Sequence, residues 1–94
     1  MTRPQHITSS TDAAIISRII HPDKADLHKE TAQAVLRLFS LDQNDLDRMH
    51  ELAVKNQDDV LTKAEKAELE SYLRISYFVD LMHAKARLSL RKSL

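Results

Sequence analysis

The chain has 94 residues, no glycine, no cysteine and a formal net charge of zero, with 43% hydrophobic and 30% charged residues. This length suits one domain, the hydrophobic fraction excludes disorder of the whole chain, and the lack of cysteine excludes a disulfide framework. Tight turns between strands usually need residues that tolerate positive φ. A chain without glycine is therefore predicted to be all-α, with helices joined by short Asp, Asn and Ser connections.

The amino-terminal part is predicted to hold a polar arm and a first short helix. Residues 1–11 are expected to form a disordered arm, and residues 12–94 a single helical domain. Asp12, or the Ser/Thr run before it, is placed to cap a helix that continues through Ile20. That helix should stop there because Pro22 disfavours a helical conformation at the residue before it.

Two further helices are predicted before residue 58. A second helix, at about residues 27–39, carries one apolar stripe, and Ser40 with Gln43 has the spacing of a capping box that would open a third helix at about residues 41–57. The stripe of the second helix is Ala32, Val35, Leu36 and Phe39, and that of the third is Leu46, Met49, Leu52 and Ala53. Residues 58–59 occupy a turn in which glycine would be usual.

A fourth, long helix is predicted to organise the fold. Thr62 and Glu65 form a second capping box, and the roughly 30 residues that follow would make a rod of about 45 Å. The third helix reaches only about 24 Å, so the first two helices or a second subunit must cover the rest. Between Ile75 and Leu90 more than half of the circumference is apolar. The residues predicted to form a partner or dimer interface are Ile75, Phe78, Val79, Met82, Ala86 and Leu90.

The zero net charge hides an asymmetry. Residues 71–94 contain five basic residues against one acid, Asp80, so this segment carries +4 and the rest of the chain −4. The basic residues are Arg74, Lys85, Arg87, Arg91 and Lys92. Cations near a helix C-terminus complement its dipole, which is the preferred explanation. The alternative is contact with an anion, either nucleic acid or an acidic protein face.

Two short motifs have a functional and a structural interpretation. His-Pro-Asp-Lys at residues 21–24 matches the signature of J-domain co-chaperones, but the helix before it offers only Arg18 where a J-domain has a basic helix; a proline helix stop is preferred. Asp-x-x-His pairs end at His50 and His83 and resemble halves of carboxylate-bridged metal sites. In a helical hairpin they would lie about 20 Å apart, so no metal or other cofactor is predicted.

Catalysis and membrane insertion are not predicted either. The helix serines lack a nearby base of fixed geometry, and a glycine-rich phosphate loop is excluded without glycine, so the protein is not expected to be an enzyme. No run of about 18 apolar residues is available to span a membrane, and the polar amino-terminal segment shows no secretory signal. The protein is predicted to be cytoplasmic, with no membrane partner.

A family resemblance rests on two stretches of the last helix. Residues 61–72 read L-T-x-x-E-x-x-E-L-x-x-Y, and residues 85–90 read K-A-R-L-S-L. Together they resemble a group of small, uncharacterised, all-helical bacterial proteins with an LTxxExxEL pattern and a KARxxL ending, whose genes often lie beside those of HNH-type endonucleases. The resemblance covers about residues 12–92. It implies a small accessory or regulatory partner, with a nuclease as one candidate for the protein it binds, and assigns no catalytic residue.

These observations combine into one expected architecture and a ranked set of functions. The fold is predicted to be a four-helix arrangement in which three shorter helices pack on a long C-terminal helix, and the chain is predicted to form a homodimer. The leading function is a non-enzymatic protein–protein interaction module, accessory or antitoxin-like, acting through the apolar C-terminal helix. The alternative is nucleic-acid binding through the basic tip, and a minor alternative is a J-domain-like co-chaperone.

Overall fold

The computed structural model describes residues 11–93, which form four helices and confirm the all-α class. The helices are α1 (Asp12–Ile20), α2 (Lys29–Leu38), α3 (Gln43–Gln57) and α4 (Lys63–Lys92). The arm predicted over residues 1–11 lies outside the described residues except for Thr11. That residue is the N-cap of α1, and its side chain accepts a hydrogen bond from the Ala14 N–H.

Side-chain caps set the starts of α3 and α4. The capping box predicted at Thr62 and Glu65 is confirmed, because each side chain accepts the other residue's backbone N–H at 3.0 Å. The box predicted at Ser40 is wrong. Asp42 is the N-cap instead, and its carboxylate accepts from the Asn44 N–H at 2.7 Å. A carboxylate caps well because it also faces the positive end of the helix dipole.

Among residues 11–93, two non-glycine residues adopt left-handed backbone conformations where the chain changes direction. His21 ends α1 with φ 54° and lies before Pro22, which disfavours right-handed helical backbone at this position. Asp59 has φ 57° in the turn between α3 and α4, where glycine would be usual. Aspartate tolerates this region better than most residues, which is how a chain without glycine makes the turn.

The three shorter helices pack on α4 and not on one another. Within residues 11–93, no Cα atom of α1, α2 or α3 comes within 8 Å of a Cα atom in another of these three helices, whereas all three approach α4. The predicted arrangement of shorter helices on a long C-terminal helix is confirmed. The Cα atoms extend over 49 × 47 × 15 Å, and their radius of gyration is 16.9 Å. A compact chain of this length would have about 12 Å, so the protomer is a flat, single layer of helices.

A single layer leaves little room for a core. The buried hydrophobic residues are Ile20, Ala32, Leu52, Leu69 and Ala86. Leu52 is the largest fully buried side chain among the described residues. The exposed large hydrophobic residues are Ile15, Ile19, Leu38, Leu46, Val54, Val60, Leu73, Ile75 and Tyr77. The protomer thus exposes more large apolar side chains than it buries.

Candidate functional site

The carboxy-terminal half of α4 is anchored by a buried lysine. Lys85 is only 8% exposed, and its Nζ donates to the Ile20 carbonyl oxygen at 2.8 Å and to the His21 carbonyl oxygen at 3.4 Å. The same ammonium lies 2.7 Å from an Asp26 carboxylate oxygen and, by hydrogen bonding, lowers the pKa of Asp26. Lys85 therefore neutralises the negative C-terminal end of α1. Its predicted contact with an external anion is wrong, because these partners occupy the ammonium inside the protomer.

Two other polar side chains of α4 form hydrogen bonds with backbone groups at the two ends of α2. His83 Nε2 donates to the carbonyl oxygen of Phe39, the residue that caps the C-terminus of α2. Ser89, 2% exposed, accepts the Leu27 N–H at 3.2 Å just before α2 begins. The helix starts at Lys29 and not at residue 27 because His28, its N-cap, has an extended backbone with φ −61° and ψ 152°. His83 thus makes its hydrogen bond within the protomer.

The amino-terminal half of α4 is held to α3 by ion pairs. Arg48 binds Glu68 with two hydrogen bonds of 2.8 Å and Glu51 with one of 2.9 Å, and Lys55 lies 2.6 Å from Glu65. Hydrogen bonding to the cations lowers the pKa of Glu68 and of Glu65. The Arg48 and Lys55 side chains are 32% and 37% exposed. Such pairs position α3 more than they stabilise it, because water and salt screen them.

An open apolar groove lies beside this ion-pair cluster. A cavity of about 350 Å³ between α3 and α4 and one of about 260 Å³ between α1 and α4 share Ile75 as a common wall. We call the two cavities together the Ile75 groove. Its main lining residues are Ile15, Leu41, Glu68, Tyr72, Ile75 and Phe78. The Tyr72 hydroxyl donates to Asp45 at 2.8 Å, which raises the Tyr72 pKa and fixes the ring at the edge of the groove.

The predicted interface is only partly accessible. Ile75 is 50% exposed, but Ala86 is 0% exposed, so the proposed role of Ala86 in a dimer interface is wrong. The other predicted members are half-buried: Phe78, Val79, Met82 and Leu90. The packing of α1 and α2 on the carboxy-terminal half of α4 explains the difference, since it covers the segment predicted to need a partner. The accessible apolar residues lie nearer the middle of the helix and include Leu73 and Tyr77.

The basic tip contains fewer available cations than predicted. Arg74 lies 3.1 Å from Asp12 of α1, and Lys85 is buried. Arg87, Arg91 and Lys92 are exposed and form no ion pair within residues 11–93. Only these three of the five predicted residues remain available for an anionic partner.

The two sequence motifs occupy different settings. The tetrapeptide at 21–24 lies between α1 and α2, where His21 and Asp23 are exposed, and the nine-residue helix before it carries one basic residue, Arg18. Asp47 accepts a hydrogen bond from the Gln43 side chain at 2.8 Å, one turn from the exposed His50. Over residues 11–93, no group of three or more His, Cys, Asp or Glu side chains converges in a way that would hold a metal ion.

Comparisons with known proteins add no assignment. No protein-family model matches the chain, and neither the curated proteins nor the solved structures give a match. The resemblance to small bacterial proteins encoded beside HNH-type endonucleases therefore stays a prediction. None of the helices within residues 11–93 combines the length and the apolar character needed to cross a membrane.

Proposed function

We propose that this chain is a non-enzymatic protein–protein interaction module, a small accessory or antitoxin-like protein that acts as a homodimer in the cytoplasm. The observation that carries the proposal is the flat, single layer of helices, 15 Å thick between Cα atoms, with nine large hydrophobic residues exposed among residues 11–93. Four of them lie in neighbouring pairs between α1 and α4, Ile15 with Ile75 and Leu73 with Tyr77. Contiguous exposed apolar surface marks a site of interaction. A second protein surface would supply the layer that this protomer lacks.

The energetics favour association over an isolated protomer. Fully burying a Leu or Ile side chain contributes about 1.5–3 kcal/mol relative to leaving it in water. Leu73 and Ile75 are both at least half exposed in the protomer. A chain of this size has little stability to spare, because small domains bury a small share of their surface. Covering even a few of these side chains would add an amount comparable with much of the stability of a small domain.

The Ile75 groove is the surface best suited to a different protein. It runs across α4 between α1 and α3, and its floor is apolar. The charged groups along its edges are paired within the protomer, Glu68 with Arg48 and Arg74 with Asp12. An amphipathic segment with apolar anchors would fit it, the way one helix lies in the groove of another protein. The nuclease suggested by the family resemblance is one candidate for that partner.

The test is the mass in solution, measured by light scattering or sedimentation over about a hundredfold range of protein concentration. We expect a dimer, twice the 10.8 kDa of the chain, that dissociates on dilution. Substituting Ile75→Lys should leave the dimer intact and abolish binding of any partner that uses the groove, whereas Lys92→Ala, at an exposed position outside the groove, should not. A chain that stays monomeric at the highest concentration would overturn the proposal.

A second candidate function is nucleic-acid binding through the basic tip. The supporting observation is that Arg87, Arg91 and Lys92 are exposed and unpaired within residues 11–93. If these side chains contact phosphates, affinity for duplex DNA must fall steeply as salt rises. The triple substitution to alanine should remove that salt dependence. Binding that is absent, or insensitive to salt, would reject this candidate and leave the protein-interaction proposal standing.

A further inference from the structure

One face of α4 is exposed along most of its length, and α1 borders it at Leu73 and Tyr77. Residues spaced alternately by three and four positions lie on that face, and all of them are exposed: Glu70, Leu73, Tyr77, Asp80, Ala84 and Arg87. We call this set the α4 stripe. It extends over about 26 Å and lies on the side of α4 away from Ala86, where the helix is covered within the protomer.

The spacing of the α4 stripe is that of a helix pair. A repeat of three and four is the heptad pattern by which two helices pack side by side. The stripe is apolar at Leu73, Tyr77 and Ala84, and its charged members are Glu70 and Arg87 at the two ends and Asp80 near the centre. Leu73 is 55% and Tyr77 37% exposed, so both have surface left to bury. The Tyr77 hydroxyl lies 3.2 Å from the Ser17 hydroxyl of α1, which orients the ring at the edge of the stripe.

The charges on the α4 stripe favour a second copy of the chain as its partner and determine the direction in which the two helices pair. The stripe has an acid, Glu70, near its start and a base, Arg87, near its end. A second copy in the parallel direction would place each of these charges against itself. A second copy in the antiparallel direction places Glu70 against Arg87 of the partner subunit, and two-fold symmetry gives that pair twice. The surface is therefore complementary to itself in one direction only.

From this charge pattern we propose that two copies of the chain pair antiparallel through the α4 stripe, in the register that sets Glu70 opposite Arg87 of the partner subunit. The same register sets Leu73 opposite Ala84, a large side chain against a small one. It also sets Tyr77 opposite Asp80 of the partner subunit. This inference rests on the homodimer in the proposed function and identifies the surface it uses, which leaves the Ile75 groove for another protein.

Two contacts in this register are unfavourable. The two copies of Asp80 lie next to the two-fold axis, about 4.5 Å apart along the helices. One helical turn beyond the stripe at each end, Lys66 faces Arg91 of the partner subunit. Both side chains are exposed, and long basic side chains at the ends of a helix pair can extend into water. Two like-charged pairs at the periphery are screened by salt. They weaken the dimer without changing its direction, because the parallel arrangement has like charges at every charged position.

Cysteine cross-linking tests the direction and register, and the chain has no cysteine of its own to interfere. Leu73→Cys and Ala84→Cys proteins, mixed and oxidised, should give a disulfide-linked heterodimer, while each alone should not. Two copies of residue 84 would lie about 16 Å apart along the helices, beyond the Cα separation of about 7 Å that a disulfide permits. Strong self-linking of Ala84→Cys would indicate a parallel pair and overturn the proposal.

Ile75→Cys distinguishes the other surface. If this variant links to itself while the mixed pair does not, the second copy occupies the Ile75 groove, and the α4 stripe proposal is wrong although the homodimer stands. If the stripe instead binds a different protein, the mixed Leu73→Cys and Ala84→Cys proteins will not form a disulfide, and Ile75→Cys will not link to itself. A chain that is monomeric by mass would remove both the homodimer and this inference, so the two failures are distinguishable.

Charge reversal gives an independent test with an internal control. Glu70→Arg or Arg87→Glu alone should weaken dimerisation about tenfold, because each turns two attractive exposed pairs into two repulsive ones. The double variant should restore the affinity to within about threefold, since the attractive pairs re-form with reversed sign. Lys92→Glu, outside the stripe, should leave the dimer unchanged. Single reversals without effect, or a double variant as weak as either single one, would refute the register.

Discussion

The two halves of α4 are held by different chemistry. The amino-terminal half meets α3 through Arg48, Lys55 and their glutamates, which are partly exposed. The carboxy-terminal half meets α1 and α2 through Lys85 and Ser89, which are buried and bond to backbone groups. A surface ion pair contributes little, whereas a buried backbone group left without its partner costs more. Each of the three helices buries an apolar residue against α4, namely Ile20, Ala32 and Leu52. The ion pairs add little to this burial for α3, whereas the buried polar bonds add more for α1 and α2.

The largest expected effect is in the amino-terminal half. Leu52→Ala removes the largest fully buried side chain of the described residues and should lower the free energy of unfolding by about 3 kcal/mol, through lost burial and the cavity it leaves. Urea unfolding at a fixed protein concentration measures it. Val54→Ala, at a position 43% exposed, should cost less than about 0.5 kcal/mol. Equal effects of the two variants would show that α3 is held by its ion pairs.

A smaller effect is expected in the carboxy-terminal half. Lys85→Met keeps the apolar stem but leaves the Ile20 and His21 carbonyl groups without their donor, which should cost about 2 kcal/mol. Asp26 is 59% exposed in its side chain and can turn to water. Lys92→Met, at an exposed site, is the matched control and should change little. A variant as stable as the parent would mean that α1 docks by its isoleucines alone.

The N-cap of α4 should contribute less to the free energy of unfolding than either Leu52 or Lys85. Thr62→Ala deletes the side chain that accepts the Glu65 N–H, and loss of such a cap costs about 1 kcal/mol. Thermal unfolding of this variant beside Lys63→Ala, which removes an exposed side chain from the first turn, isolates the cap. If the two variants have the same melting temperature, the capping box fixes where α4 begins without stabilising it.

The smallest expected effect is electrostatic and separates the two halves directly. Glu65 and Glu68 have pKa values lowered below 4.5 by their cations. Their stabilising contribution is therefore complete above about pH 5 and is lost as pH falls through the lowered folded-state values. As the pH is lowered from about 5 through these pKa values, the melting temperature should fall by a few degrees. The fall should be smaller in high salt, which already screens the ion pairs. In Arg48→Met the decrease should be smaller; an unchanged decrease would assign it to Asp26, whose pKa is lowered by Lys85.

The same division explains which features the sequence predicts. Helix periodicity, the stop before Pro22 and the Thr62 capping box depend on neighbours a few residues apart, and these predictions are confirmed. The box predicted at Ser40 is equally local but wrong, because Asp42 two residues later caps α3 instead. The roles of Lys85 and Ser89 depend on partners more than 60 residues away. In the sequence a lysine near a helix C-terminus looks like any dipole-complementing cation, so its burial was not predictable. Ala86 was assigned to an interface because apolar spacing marks a face but does not identify what covers it.

The order of the helices along the chain has a consequence for synthesis. α1 and α2 leave the ribosome early, yet they do not pack on each other and both need the carboxy-terminal half of α4. Isolated helices of nine or ten residues are marginal in water. The nascent chain should thus remain largely unstructured until the segment around Lys85 emerges, and then acquire its first two helices together.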